Sequence, residues 1–225
     1  EALHSYTNAI QADNTFAQAY MKRGQLYEKT THHQEAMADY DMAIKLNPYI
    51  DIYFDQRARV RILSFDYYGA MDDINKAIQL NPDNEQYLKQ RVDNYIAMGL
   101  YENALAEIDS VYEEDQDRLY FLQRKALVYL LNDDLANADK TAQEAYFLND
   151  SAYVTLDLLR LIELKKERYQ EAIDWFDRAI EVNPEGFAAW YNKGISLRFL
   201  GEKDAALEAI SKALDINSNI QEAYF

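Results

Sequence analysis

The three histidines are the first residues to examine for chemistry, because histidine is the commonest metal ligand and general base. His32 and His33 are neighbours in a stretch that reads as a turn between two helices, and His4 is remote in sequence. Two zinc ligands on one helix need a spacing of three or four residues, with further ligands nearby. The chain has no cysteine, which excludes disulfides, thiolate metal sites and thiol catalysis. We therefore expect no metal ion and no cofactor.

Acidic pairs are the other candidates for catalysis. Asp72-Asp73 and Asp133-Asp134 are sequence neighbours, and adjacent residues on a helix point apart, so these pairs read as solvated faces. No histidine is placed to complete a Ser–His–Asp arrangement. The glycines form no phosphate-binding loop of known spacing. The sequence therefore predicts a protein that is not an enzyme.

The charge of the chain limits its partners. The 225 residues carry a net charge of −16, a field that repels phosphate backbones, so we expect no nucleic-acid binding. No apolar run approaches the length of a membrane span and no signal peptide is visible, so membrane insertion is not expected. A cytoplasmic location is favoured over a periplasmic one, although the chain starts at Glu1 and an N-terminal address could have been removed.

A sixteen-residue stretch, YQEAIDWFDRAIEVNP from Tyr169 to Pro184, organises the chain. Its apolar residues recur at intervals of three and four, the stripe of an amphipathic helix, and its Asn-Pro ending stops that helix. Related stretches recur at multiples of 34 residues. The first alanine of this helix occupies the same place in six consecutive units: Ala36, Ala70, Ala104, Ala138, Ala172 and Ala206.

A second helical pattern precedes each of these stretches. A large apolar residue stands at the same place in every unit, at Tyr20, Phe54, Leu88, Leu122, Leu156 and Trp190. A small residue follows four positions later in four units, at Gly24, Ala58, Ala126 and Gly194. With the paired alanines, the Asn-Pro endings and the 34-residue period, this pattern closely resembles the tetratricopeptide repeat family.

The resemblance implies an all-α fold, a right-handed superhelical solenoid of stacked helical hairpins (an α-α superhelix). It covers residues 1–225 as a single array. Residues 1–16 match the second helix of a partial repeat, and residues 221–225 match the start of a further first helix. The full repeats are residues 17–50, 51–84, 85–118, 119–152, 153–186 and 187–220.

The resemblance also implies a function. The leading hypothesis is a non-enzymatic interaction module that binds an extended peptide or a partner helix in the concave groove lined by the first helices. The alternative is a structural or regulatory helical array of a larger protein, or a scaffold that self-assembles. Self-association would use the array ends, where Ala2, Tyr6 and Ala9, and at the other end Ala223, Tyr224 and Phe225, lack a neighbouring repeat.

Groove residues follow from the places that the family gives to ligand contact. The N-terminal half of the groove is predicted to be polar, with Lys22, Gln25, Gln56, Arg59, Gln90, Asp93 and Arg124. The C-terminal half adds Asn192 and an apolar patch of Leu127, Leu131, Leu161, Ile195 and Phe199. The competing interpretation is that Leu127, Leu130, Leu131, Leu161 and Leu164 fill gaps between adjacent first helices.

The fifth unit departs from the pattern. Arg160 stands at its small position and Glu163 at its usual aromatic position. Neither charge can be buried bare without cost. We expect the first helix, from Tyr153 to Leu164, to be rotated or displaced, with Arg160 reaching solvent or an acid.

A charge pattern is predicted in the packing layer. The seventh place of the first units is basic, and the facing place on the second helix is acidic. An arginine fork can serve two carboxylates, so the pattern predicts one alternating ladder: Arg23, Asp39, Arg57, Asp73, Arg91, Glu107 and Lys125.

Overall fold

The computed structural model describes residues 1–111 and 117–216 of the chain. In these residues every regular element is an α-helix, in the order α1 (Ala2–Ala12), α2 (Ala17–Lys29), α3 (His33–Leu46), α4 (Asp51–Leu63), α5 (Tyr67–Leu80), α6 (Glu85–Ala97), α7 (Tyr101–Val111), α8 (Arg118–Leu131), α9 (Leu135–Leu148), α10 (Tyr153–Lys165), α11 (Tyr169–Val182), α12 (Phe187–Leu200) and α13 (Lys203–Ile216). The predicted all-α array of helical hairpins is confirmed. The expectations for residues 221–225, including Ala223, Tyr224 and Phe225, lie outside the described residues.

Helix ends follow the sequence signals. Five first helices, α2, α4, α6, α10 and α12, begin at the first residue of a predicted repeat, and α8 begins one residue earlier, at Arg118. Helices α3, α5 and α11 end before Asn47, Asn81 and Asn183, whose φ angles lie between −139° and −146°. The proline that follows each asparagine disfavours the α region at the residue before it, so the helix stops there.

The chain divides into two compact units, Glu1–Glu107 and Ile108–Phe225. In the first unit, α2 packs on α3 and α4 packs on α5. The alanines Ala36, Ala43, Ala70 and Ala77 are completely buried, as is the ring of Tyr40. A Cβ on Gly24 would lie 2.7 Å from that ring, so only glycine allows α2 to approach α3 this closely.

The second unit repeats this arrangement. Helix α8 packs on α9, α10 on α11, and α12 on α13. Its buried centre combines Leu156, Phe176 and Ala189 with the alanines Ala172 and Ala179. The same places of the repeat therefore carry the same close contacts in both units.

The fifth repeat keeps a buried cation. Arg160 is 6% exposed, forms an ion pair with Asp157 one turn earlier, and lies over the ring of Phe176. Glu163 is also buried and accepts from Lys166 at 3.0 Å. The expectation that Arg160 reaches an acid is confirmed, whereas the alternative of solvent is wrong, because an acid on its own helix is close enough to compensate the buried charge. Rotation of this helix stays a prediction.

Arginines of the first unit pair with the second helix of their own repeat. Nε and Nη2 of Arg23 donate to Asp39 at 2.8 and 2.7 Å. Arg57 makes the same two-pronged contact with Asp73 at 2.9 and 2.6 Å, and Arg91 reaches Glu107 at 2.7 Å. The predicted pairing within each repeat is therefore confirmed.

The predicted link between repeats is wrong in its residues. Nη1 of Arg57 donates to Asp41 at 2.7 Å, not to Asp39, and Nη1 of Arg91 donates to Asn75 at 3.0 Å, not to Asp73. Because Asp39 already accepts both prongs of Arg23, the next arginine uses a residue two positions further along the same helix. The remaining predicted step, from Glu107 to Lys125, stays a prediction.

The turn after each first helix has a left-handed residue at one fixed place. Gly99 and Gly201 occupy it in two repeats, with φ of 71° and 85°. The other four repeats have a residue with a Cβ there, namely Thr31, Phe65, Asp133 and Glu167, with φ of 59°, 61°, 60° and 57°. A left-handed backbone costs a residue with a Cβ roughly 1–2 kcal/mol. Phe65 therefore carries this backbone cost although its ring is exposed.

Substitution Arg57→Met is expected to lower the free energy of unfolding by about 1–3 kcal/mol. Asp73, with a side chain only 3% exposed, would lose the two-pronged bond from Arg57 and keep a single bond from Nη1 of Arg61 at 2.8 Å. Urea unfolding measures the loss. Lys193→Met is the matched control at the same place of the sixth repeat. Lys193 pairs with the half-exposed Asp177, so the control should lose no more than about 1 kcal/mol. Equal losses in the two variants would contradict the buried-pair explanation.

Substitution Phe65→Gly is expected to raise the free energy of unfolding by about 1 kcal/mol, because glycine adopts the left-handed conformation without strain. Ser64→Gly, one residue earlier at a φ of −97°, has no strain to relieve and should be neutral or destabilising. Thermal unfolding of both variants checks this. A loss of stability in Phe65→Gly would show that the ring contributes more than the strain costs.

Candidate functional site

Three of the predicted polar groove residues of the first unit bond to one another. Nζ of Lys22 donates to Oε1 of Gln25 at 3.3 Å, and Nε2 of Gln25 donates to Oε1 of Gln56 at 3.1 Å. Gln56 is only 5% exposed, and its Nε2 donates to Asp55 at 2.9 Å. These side chains link α2 to α4. Gln56 therefore offers little surface, while contact of the set with a partner stays a prediction.

A second set of bonds surrounds Glu28 on α2. Its carboxylate accepts from Arg59 at 2.8 Å and from the hydroxyl of Tyr40 at 3.0 Å. Burial raises the pKa of Tyr40 above its ordinary value, and the charge of Glu28 adds to the rise. Arg59 remains exposed apart from this ion pair. The unit has two predicted groove cations, and Arg59 is exposed whereas Lys22 is half-buried, so Arg59 offers more of its charge to a partner.

Asp55 is the buried acid of this network. Burial raises the pKa of its carboxyl, which the hydrogen bond from Gln56 and the charge of Arg59 only partly offset. Glu28 and Asp51 repel its charge and add to the rise. Asp55 and Glu28 were missed as site residues, although both stand at inner-face places of the repeat, the fifth and the twelfth.

The other polar residues of the prediction lie on α6, α8 and α12. Gln90 and Asn192 are half-buried, and Asp93 is exposed. The guanidinium of Arg124 lies 4.6 Å from the ring centre of Tyr120.

The predicted apolar patch lies entirely in the second unit. Leu131 is 47% exposed, Leu161 36% and Phe199 58%, while Leu127 and Ile195 are half-buried. None of the five is buried between helices. The competing interpretation applies to Leu130, which is buried, and to Leu127 and Leu164, which pack against the core clusters of this unit.

The surroundings of the patch are cationic and aromatic. The ring of Phe199 stacks on Tyr169 at 4.8 Å with an angle of 8°, and the guanidinium of Arg198 lies 5.6 Å from the Phe199 ring centre. Nζ of Lys165 donates to Leu130 O and Asp133. Phe199 is thus oriented by a neighbouring ring while most of its surface faces solvent.

Comparisons with known proteins agree with the repeat pattern. Family models described as tetratricopeptide repeat match residues 17–49 and 161–219. A tetratricopeptide repeat protein from Parabacteroides merdae superposes with a TM-score of 0.80 over 99% of this chain and 88% of that one, at 14% identity. Residues 17–49 and 161–219 therefore carry tetratricopeptide repeats, and the predicted resemblance to the tetratricopeptide repeat family is confirmed.

Two further proteins are similar to this chain, one in structure and one in sequence. PilW, described as a type IV pilus biogenesis factor, has a TM-score of 0.77 over 92% of this chain and 96% of its own, at 13% identity. The uncharacterized protein MJ0572 of Methanocaldococcus jannaschii is 35% identical over 51 residues, which are 23% of this chain and 59% of the relative. The structural likenesses are of fold alone.

The tetratricopeptide repeat fold supports a protein–protein interaction or scaffold role, and proteins of this family are in general not enzymes. In residues 1–111 and 117–216 no three acidic or histidine side chains are grouped to hold a metal ion. Over the same residues, none of the tetratricopeptide helices has both the length and the apolar character needed to cross a bilayer.

Substitution Asp55→Asn tests whether the pKa of the buried Asp55 carboxyl is raised. Because the pKa of Asp55 is raised in the folded state, its contribution to stability is fully present below its unfolded pKa and is lost as pH rises through the folded value. The variant should therefore gain stability relative to the unsubstituted protein as pH rises through that window. Urea unfolding at a series of pH values measures the difference. A pH-independent difference would contradict the raised pKa.

Proposed function

We propose that this tetratricopeptide repeat protein is a non-enzymatic interaction module whose second unit binds an extended peptide or a partner helix. The contact surface is formed by the first helices α8, α10 and α12. The observation that carries the proposal is the exposure of three large apolar side chains, Leu131, Leu161 and Phe199, at equivalent faces of these helices.

Contact of a large apolar side chain with water does not stabilise a fold. Single exposed apolar residues are ordinary on protein surfaces, but several on one surface mark an interaction site. Leu131 and Leu161 lie on α8 and α10, which contact each other. Their neighbours Leu127 and Leu130 turn inward and pack in the core of the same unit, so the core is complete without Leu131 and Leu161.

The cations beside the patch favour a partner with acidic residues next to its apolar ones. Arg198 is exposed, and the side chain of Lys165 is 47% exposed beyond its ion pair with Asp133. Phe199 supplies an oriented ring with little rotational freedom left to lose, because Tyr169 already stacks on it.

Peptide display on the full chain tests this proposal. Peptides selected on the unsubstituted protein should lose about tenfold or more in affinity for the double variant Leu161→Ser/Phe199→Ser, since truncated anchor residues dominate the loss at interfaces. Both side chains are exposed, so the variant should keep its thermal stability.

The matched control is Phe147→Ser/Val182→Ser, which removes two exposed apolar residues from the second helices α9 and α11. Affinity for the control should be unchanged. Equal binding to both double variants would overturn the proposal. Sedimentation at several protein concentrations should show a monomer; reversible association that Leu161→Ser/Phe199→Ser abolishes would instead assign this surface to self-assembly.

A further inference from the structure

Helix α12 presents two different faces. Asn192, Ile195 and Phe199 lie on the face assigned above to a partner. Trp190, Lys193 and Leu197 have the same spacing but start two residues earlier. A shift of two residues is about 200° around an α-helix, so the second set lies on nearly the opposite face. Any ligand of this second face is therefore independent of the binding proposed for the first face.

A cleft opens over this second face. It has a volume of about 360 Å³ and is bounded by α11, α12 and α13. Its apolar lining includes Ile173, Leu197 and Ala209, which belong to one packed cluster with Trp190 and Ala205 at its edge. The indole N–H of Trp190 donates to the carbonyl of Pro184 at 2.9 Å, so its polar atom is already used. The cleft therefore offers an apolar floor that is held in place.

The difference between repeats explains why the cleft exists. Ala209 stands where the first two repeats have Asp39 and Asp73, and Lys193 stands where they have Arg23 and Arg57. In those repeats the guanidinium and the carboxylate bond in two prongs between the helices. In the sixth repeat a methyl group replaces the carboxylate, so the space that the pair fills is left to the cleft.

The charges at the cleft favour a cationic ligand. Nζ of Lys193 bonds to Asp177 at 2.5 Å, so its charge is already balanced. Glu202 and Glu208 stand on the rim, both exposed, and neither has an ion pair within the described part of the chain. An apolar floor with two unbalanced carboxylates is complementary to an apolar side chain that is flanked by lysine or arginine.

We propose that this cleft is a second protein-binding site, which takes a basic segment of a partner with one large apolar side chain. The apolar side chain lies against Trp190, Leu197 and Ala209, and the flanking cations pair with Glu202 and Glu208. The net charge of −16 of the whole chain attracts the same class of partner over a longer range.

Display of random peptides on the full chain, with resynthesised binders measured by fluorescence anisotropy, tests the site. Two variants alter it: Glu202→Gln/Glu208→Gln removes the rim charges, and Ala205→Phe fills the cleft from its half-buried edge. The place of Ala205 carries the longer Glu35 and Glu171 in other repeats, so a large side chain is compatible with the fold there. Both variants are checked for unchanged melting temperature.

The expected result is a group of binders with arginine or lysine beside a large apolar residue. These should lose about tenfold or more in affinity for both cleft variants. They should keep their affinity for Leu161→Ser/Phe199→Ser and for the exposed-charge control Glu181→Gln/Glu185→Gln. The salt dependence of binding should weaken in Glu202→Gln/Glu208→Gln.

Four results would overturn the proposal. Binders that distinguish neither cleft variant from the control leave the cleft without a ligand. Binders that are acidic contradict the charge argument, and so does a loss with Ala205→Phe that Glu202→Gln/Glu208→Gln does not share. Binders that respond only to Leu161→Ser/Phe199→Ser support the inner surface and reject the cleft, so the two proposals fail separately.

Discussion

The close approach of helices at small residues is the contact on which the other features depend. A helical hairpin cannot bury its apolar face alone, so each repeat is completed by its neighbours. Alanine at fixed places, such as Ala70 and Ala172, lets second helices pack with no exposed surface, and Gly24 does the same for a first helix against Tyr40. Because the 34-residue period does not vary, the remaining side chains of each repeat lie at predictable positions along the helix and on predictable faces of it.

Equivalent places can then serve either stability or recognition. Where Arg57 and Asp73 fill the packing layer, the surface between second helices is closed by a buried ion pair. Where Lys193 and Ala209 occupy the same places, the surface opens into a cleft. Different residues at these two places thus turn a structural contact into an open cleft, while the alanine contacts that hold the helices stay the same.

The fold was predictable from the sequence because its signals are local and repeated. Asn-Pro endings, alanine spacing and the 34-residue period indicate where helices begin and end. The two-pronged bond of Arg57 with Asp73 follows from the same period. The link to Asp41 was not predictable, since Asp39 and Asp41 are both acidic and only the depth of each side chain decides which arginine it meets.

The sequence predicted which positions of the repeat belong to the candidate site, but not which side chains at those positions are exposed. Leu130 and Leu131 are neighbours of the same type, yet one is buried and the other exposed, and this depends on how far α8 and α10 overlap. The burial of Gln56 likewise depends on Gln25 and Asp55 from two helices. Arg160 shows the same limit, because a buried cation is tolerated when Asp157 stands one turn away.

Native-state hydrogen exchange of Ala172→Leu tests most directly whether small-residue contacts between neighbours hold the stack. Overpacking a buried place costs typically about 1–3 kcal/mol. Nearest-neighbour stabilisation predicts that amides of α10, α11 and α12 lose protection by this amount, while those of α8 and α9 change much less. An equal loss in all five helices, or no loss in α10 and α12, would contradict it.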